Sequence, residues 1–363
     1  ARPLPHPEVW RAAYAPGTLT PAELSTALEA LPALPLAWYS DLVRVQLYEK
    51  AGQPARAREV LDRLRERLQP DLARMTLLVS LVAAGLLLGM LVLGVLGGQA
   101  LLGQLRRAEG ALPFSTLSTR TLVEAFILWF FVLSAGSWGL RQILGALPGP
   151  RPLLSAAGQM LLLLMGQLAA AGAGWALLTA GARRRRPRPT PHADLFSAAP
   201  SSTADAAGLE RVARNIAWGV LAYLAAVPLL LISAALLSRL LPNVPTPPNP
   251  AVNLALSTRG PVEWVLLVAM VVVAAPVFEE LFFRGVLYPA LRRRWRAPFA
   301  IGASAVLFAL VHPQLPLGFL PILVLGSVLA GVLELRRSLV PCTVAHMLNN
   351  GIAILMVSLL RMP

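Results

Sequence analysis

Eight apolar runs, most of them long enough to cross a bilayer, constrain this chain more than any other feature. They extend over Met75 to Ala100, Thr121 to Leu147, Leu153 to Ala182, Asn215 to Leu241, Val262 to Tyr288, Pro298 to Val311, Leu317 to Leu335 and Leu339 to Leu360. A hydrocarbon core about 30 Å thick needs about 20 apolar residues of helix, because no water is present there to satisfy an open backbone. The pattern therefore predicts an all-α, polytopic membrane bundle of about eight transmembrane helices. Of 363 residues 56% are hydrophobic and only 14% charged, which excludes a soluble globule.

The formal charge of +14 raises the question of a nucleic acid. Its distribution answers it. The arginines cluster where apolar runs end, without the interleaved aromatic residues of a nucleic-acid platform, so no nucleic-acid partner is expected. Arg106/Arg107, Arg183 to Arg188, Arg292 to Arg296 and Arg336/Arg337 follow runs one, three, five and seven. The segments after runs two, four and six are nearly free of basic residues. The bias places the first set in the cytoplasm of an integral membrane protein, with a bacterial plasma membrane as the expected location. By alternation the N-terminal region is extracytoplasmic, as a removed signal segment before Ala1 would also give.

Four parts follow from the composition. Residues 1–73 form a small helical extramembrane region. Thr20-Pro21-Ala22-Glu23 reads as an N-cap, a proline at the first helical position and a capping-box glutamate. Helices are expected from there to Leu31, from Ala37 to Lys50, and from Pro54. The turn Tyr48 to Ala57 resembles that of a tetratricopeptide unit, but one unit buries its own face poorly, and a helical cap packing on itself or on the membrane domain is the favoured reading. Residues 74–182 carry three transmembrane helices. Residues 183–210 are a basic linker rich in Pro, Ser, Thr and Ala, and 211–363 hold the rest of the bundle. The single cysteine, Cys342, excludes a disulfide or a cysteine metal site within one chain.

Chemistry-bearing groups are sparse in the apolar half. Glu279 and Glu280 stand side by side in run five, where a carboxylate is costly. Glu280 and Arg284 are spaced i,i+4 with the acid first, the favourable order for a pair. Glu279 lies about 100° round the helix and has no such partner. The spacing thus assigns Glu280 and Arg284 to structural support and leaves Glu279 free to act. His312 closes run six, one turn after Phe308. His346 and Asn350 share a face of run eight. A Glu beside a His suits water activation, and a His with an Asn suits donation to an oxyanion. The catalytic set is then Glu279, His312, His346 and Asn350. Glu279, His312 and His346 would equally supply three ligands to one divalent metal such as zinc, with an open position for water. Spacing alone does not separate metal-bound water from water activated by Glu and His without a cofactor.

These motifs, Glu279-Glu280-x3-Arg284, Phe308-x3-His312 and His346-x3-Asn350 in that order, resemble the CAAX prenyl-protease and bacteriocin-processing family (CPBP, or Abi) of intramembrane endopeptidases. The resemblance extends over about residues 210 to 360. It implies peptide hydrolysis, with Glu279 and His312 activating water and His346 and Asn350 forming the oxyanion hole. The implied partner is a membrane-embedded or lipid-anchored peptide or protein in the lipid bilayer. Family members have been described both as metalloproteases and as glutamate-dependent proteases. Two other readings use the same residues: a non-proteolytic immunity or scaffold protein of this fold, and a proton-coupled transporter. One geometric condition attaches to the site. A straight span over run six would carry His312 to the face opposite Glu279. The two meet only if run five or six is kinked or short, which Pro276, Gly285, Pro289 and Pro298 would permit.

Overall fold

The structure is a computed structural model that describes residues 7–33, 37–146, 156–183, 204–244 and 249–360. Among these residues every regular element is a helix. Two compact units divide the chain between Val79 and Ser80.

The first unit holds α1 (Pro7–Tyr14), α2 (Pro21–Ala30), α3 (Ala37–Lys50) and the start of α4 (Pro54–Leu101). Helix α2 begins as its sequence requires. Thr20 accepts from the Glu23 backbone N–H, and the Glu23 carboxylate accepts from the Thr20 backbone N–H at 2.9 Å. Gly52, two residues past the end of α3, turns the chain with a φ of +70°, open to glycine at no steric cost. Val9, Leu24, Ala27, Leu31, Val43 and Leu47 form one buried cluster, and Val45, Ala57 and Val60 a second. Burial of a Val or Leu side chain contributes about 1.5–3 kcal/mol, so the unit has a core of its own. The third cap helix and the first apolar run, read separately in the sequence, are one helix that continues through Pro70.

The second unit contains the remainder of α4, then α5 (Thr119–Ala146), α6 (Ala156–Arg183), α7 (Ala204–Leu240), α8 (Pro250–Ser257), α9 (Pro261–Arg292), α10 (Ala297–Leu310), α11 (Phe319–Arg336) and α12 (Leu339–Leu360). Most of the linker expected over 183–210, residues 184–203, lies outside the described residues. Helices α4 and α7 approach closely at Gly89, where a Cβ would stand 2.4 Å from the Leu224 carbonyl oxygen. Trp129 of α5 stacks on Phe282 of α9, with ring centroids 4.7 Å apart. Among the described residues seven helices are long and apolar enough to cross a membrane, in keeping with the expected bundle of about eight. The exception is α10. Its 14 residues rise only about 21 Å, short of a hydrocarbon core of about 30 Å. Pro313 follows within three residues of its end, so the helix cannot be prolonged there.

Helix α9 is the irregular one. Two π-helical segments, Val268–Ala274 and Leu281–Leu287, interrupt it. Each ends just before a proline: Pro276 lies two residues past the first, and Pro289 two past the second. The cause is local. Ala275 N–H bonds to Met270 O, five residues back, and Pro276 has no N–H to offer Val271. Tyr288 N–H likewise bonds to Phe283 O, and Pro289 follows. Each widened turn leaves a carbonyl without its helical donor and shifts the register of what comes after it. Glu279 and Glu280 lie on the α-helical turn between the two, Ala275–Glu280.

At one end of the unit three arginines converge on one carboxylate. Arg107, Arg292 and Arg337 stand 3.5, 3.3 and 3.2 Å from Glu334 Oε1. Tyr288 donates its hydroxyl to Glu334 Oε2 at 2.9 Å. These arginines belong to the segments following the first, fifth and seventh apolar runs, so the ends of α9 and α11 and the loop after α4 are tied together.

Candidate active site

Glu280 and Arg284 are completely buried and paired, with Arg284 donating to Glu280 Oε1 at 2.9 Å. Further hydrogen bonds help to offset the cost of burying such a pair, and this one has some, although Glu280 Oε2 and Arg284 Nε make none. Arg284 donates again to the Gly326 carbonyl of α11 at 3.2 Å, and its guanidinium carbon lies 4.3 Å from the centre of the Phe308 ring. Gly326 lets the helices meet here, since a Cβ would stand 3.1 Å from Ala305 Cα of α10.

The same Glu280 Oε1 accepts from His346 Nδ1 at 2.8 Å. That contact spans 66 residues and has no counterpart in local spacing. A carboxylate only accepts, so the proton sits on Nδ1 and Nε2 faces away from Glu280. His312 is held in the same sense. Its ring lies in the turn after α10, where Nδ1 meets the Phe308 carbonyl at 2.6 Å, one of the last carbonyls of that helix and without an intrahelical donor. Phe308 supports both rings edge-on, with centroids 4.6 Å from His312 and 5.7 Å from His346.

Both Nε2 atoms turn to one place. Each stands 3.9 Å from Glu279 Oε2. That oxygen is buried and makes no hydrogen bond within the chain. Asn350 joins from the next turn of α12. Its Nδ2 donates to Val271 O at 3.0 Å, the carbonyl that the first π segment and Pro276 deprive of a helical donor. Its Oδ1 accepts from Asn349 at 3.1 Å. One Nδ2 hydrogen is thus engaged and the second is not required by Val271.

The tertiary structure therefore brings together all six residues singled out in the sequence. The condition on runs five and six is met on both counts, by a short α10 and a twice-widened α9. What sequence reasoning missed is the second partner of Glu280, the role of Val271 and Pro276, and the far wall of the site. Glu279, His312, His346 and Asn350 open on a cavity of about 340 Å³. Leu133 of α5, Leu163 and Gln167 of α6 and Asn249 before α8 line it as well, together with Gln314. Runs two and three, which supply Leu133, Leu163 and Gln167, carried no polar motif that would have flagged them.

Among the described residues no group of three His, Cys, Asp or Glu side chains is placed to hold a metal ion. The spacing says why. Two ligands of a tetrahedral zinc, each about 2.0–2.1 Å from the ion, stand about 3.3 Å apart. The 3.9 Å separations here exceed that. Two groups bridged by one water through hydrogen bonds of about 2.8 Å stand about 4–4.5 Å apart, which is closer to what is found.

Residues 261–352 match the family model described as type II CAAX prenyl endopeptidase Rce1-like, the family that the three motifs resemble. The match runs from the start of α9 into α12 and contains Glu279, His312, His346 and Asn350, the residues expected from the sequence to be catalytic. No curated protein and no solved structure matches the chain.

Proposed function

We propose that this chain, an integral membrane protein with an Rce1-like domain over residues 261–352, is an intramembrane endopeptidase of glutamate type. The observation that carries the reading is the buried, unpartnered Glu279 Oε2 facing the Nε2 atoms of two histidines at equal distance.

One water lying between Glu279 Oε2 and His312 Nε2 would direct one hydrogen to each, the histidine lone pair orienting it, and would give the other proton to Glu279. Its oxygen then bonds to the scissile carbonyl carbon. The carbonyl oxygen takes up negative charge and accepts from the second Nδ2 hydrogen of Asn350. His346 donates to that oxygen from Nε2 in its imidazolium form, with its Nδ1–H held by Glu280. The C–N bond breaks as the amine leaves with the proton carried by Glu279. The Phe308 carbonyl at Nδ1 makes this arrangement usable, since it leaves the neutral His312 ring with a lone pair at Nε2 for the water.

The substrate is a membrane-embedded or lipid-anchored peptide. Leu133, Leu163, Met270 and Ile354 give the cavity an apolar lining suited to such a chain. Convergence of Arg107, Arg292 and Arg337 on Glu334 supports placing that end of the bundle in the cytoplasm.

The test is cleavage of a peptide library in proteoliposomes by the wild type and by Glu279→Gln, with and without a chelator. Cleavage that is abolished by the substitution and indifferent to the chelator is expected. Equal cleavage by the variant, or none by the wild type, overturns the proposal and returns the site to a scaffold or proton-relay reading. Loss of cleavage on chelation would replace the glutamate type by a metal-dependent one.

A further inference from the structure

Seven buried side-chain polar atoms among the described residues make no hydrogen bond. Three of them belong to residues lining one cavity: Glu279 Oε2, Gln167 Oε1 and Gln314 Oε1. Glu279 already has a purpose in the proposed reaction, and the two glutamines have none there. Neither is a neighbour of the other in sequence. Gln167 comes from α6, one turn after Leu163 on the same face, and Gln314 from the turn two residues past His312.

An unpaired amide oxygen buried in a mainly apolar wall is unfavourable unless a donor reaches it from the cavity. The donor that an endopeptidase must accommodate is a peptide N–H. An extended substrate cannot satisfy its own backbone, and within an apolar cavity little water is available to do so. We infer that Gln167 and Gln314 are substrate-positioning residues that accept hydrogen bonds from backbone N–H groups of an extended peptide lying across Glu279. The inference rests on the endopeptidase reading. It also gives a function to α6, which lies outside the matched residues 261–352 and would supply part of the substrate-binding wall from the chain's own first half.

The experiment uses the full chain in proteoliposomes and the best-cleaved peptide of the library, resynthesised with one backbone amide N-methylated at a time. N-methylation removes the donor without changing the side chains. In the wild type, methylation at one or two positions should lower kcat/KM about tenfold or more. Gln167→Leu, close in size and apolar, should show a similar loss on the unmethylated peptide, mainly through KM. It should suffer no further loss when the amide that pairs with Gln167 is methylated. Gln314→Leu should behave alike at a different amide. Thermal stability should be unchanged or higher, since an orphaned polar atom is removed.

If both variants keep the wild-type kcat/KM and the wild-type pattern of methylation penalties while Glu279→Gln is inactive, this inference falls and the endopeptidase reading stands. If Glu279→Gln cleaves as the wild type does, the endopeptidase reading falls and takes this inference with it.

Discussion

His346 Nδ1 and Arg284 bind the same oxygen of Glu280, at 2.8 and 2.9 Å, and Glu280 is fully buried. One carboxylate oxygen thus neutralises a buried guanidinium and sets the tautomer of a histidine on another helix. Removing it should do two kinds of damage. Glu280→Ala leaves Arg284 uncompensated inside the bundle and should cost about 3–5 kcal/mol. Thermal unfolding in detergent would read this as a large fall in Tm, whereas Glu279→Gln should leave Tm close to wild type. Equal Tm values for the two variants would contradict the division of roles between the two glutamates.

Asn350 holds Val271 O with one hydrogen and is assigned the oxyanion with the other. Asn350→Ala should lower kcat about 10²–10³-fold, the usual loss on removing one oxyanion donor. It should also destabilise by about 1–3 kcal/mol, because Val271 O is left without a partner. A variant that lost stability and kept kcat would assign Asn350 to the support of α9 alone.

Pro276 has an effect that opposes its usual one. Pro276→Ala supplies the missing N–H, allows the first π segment to relax towards α-helical register and competes with Asn350 for local carbonyls. Stability should be unchanged or raised, while activity should fall by about tenfold or more, since Glu279 follows on the next turn and small misplacements of a reacting group are costly. Wild-type kcat in this variant would show that the widened turn is not needed to aim Glu279.

A pH effect is expected in the N-terminal unit. The backbone N–H and then the hydroxyl of Thr20 bind the Glu23 carboxylate and hold it below the usual carboxylate range. The charged form is thus favoured in the folded state. Its contribution to α2 is complete above the unfolded carboxylate pKa and is lost as pH falls through the lowered folded value. Hydrogen-exchange protection of α2, corrected for intrinsic rates, should therefore drop on acidification in the wild type and much less in Glu23→Gln. Parallel curves for the two proteins would exclude the capping box as the cause.

The first half of this chain was legible mainly as architecture. Thr20 and Glu23 form the predicted capping box because every partner lies within one helical turn. The break between Leu310 and Pro313 was visible as His312-Pro313, yet run six was still read as a span. Hydropathy counts apolar residues and does not say whether a run of 14 crosses or ends part-way.

The sequence by itself determined the class, a helical membrane bundle, because long apolar stretches in lipid have no other way to satisfy their backbone. It also determined which residues would pair within a turn, Glu280 with Arg284, and which glutamate would be left over. Only the tertiary structure decided what the leftover glutamate faces. The meeting of Glu279 with His312 and His346 depends on a helix too short to span and on two turns widened ahead of prolines. The meeting of His346 with Glu280 joins residues far apart in the chain. Gln167 enters the same cavity from a helix whose sequence carries no motif. Local spacing encodes contacts within a helix; contacts between helices depend on register and crossing, which arise only when all the helices pack together.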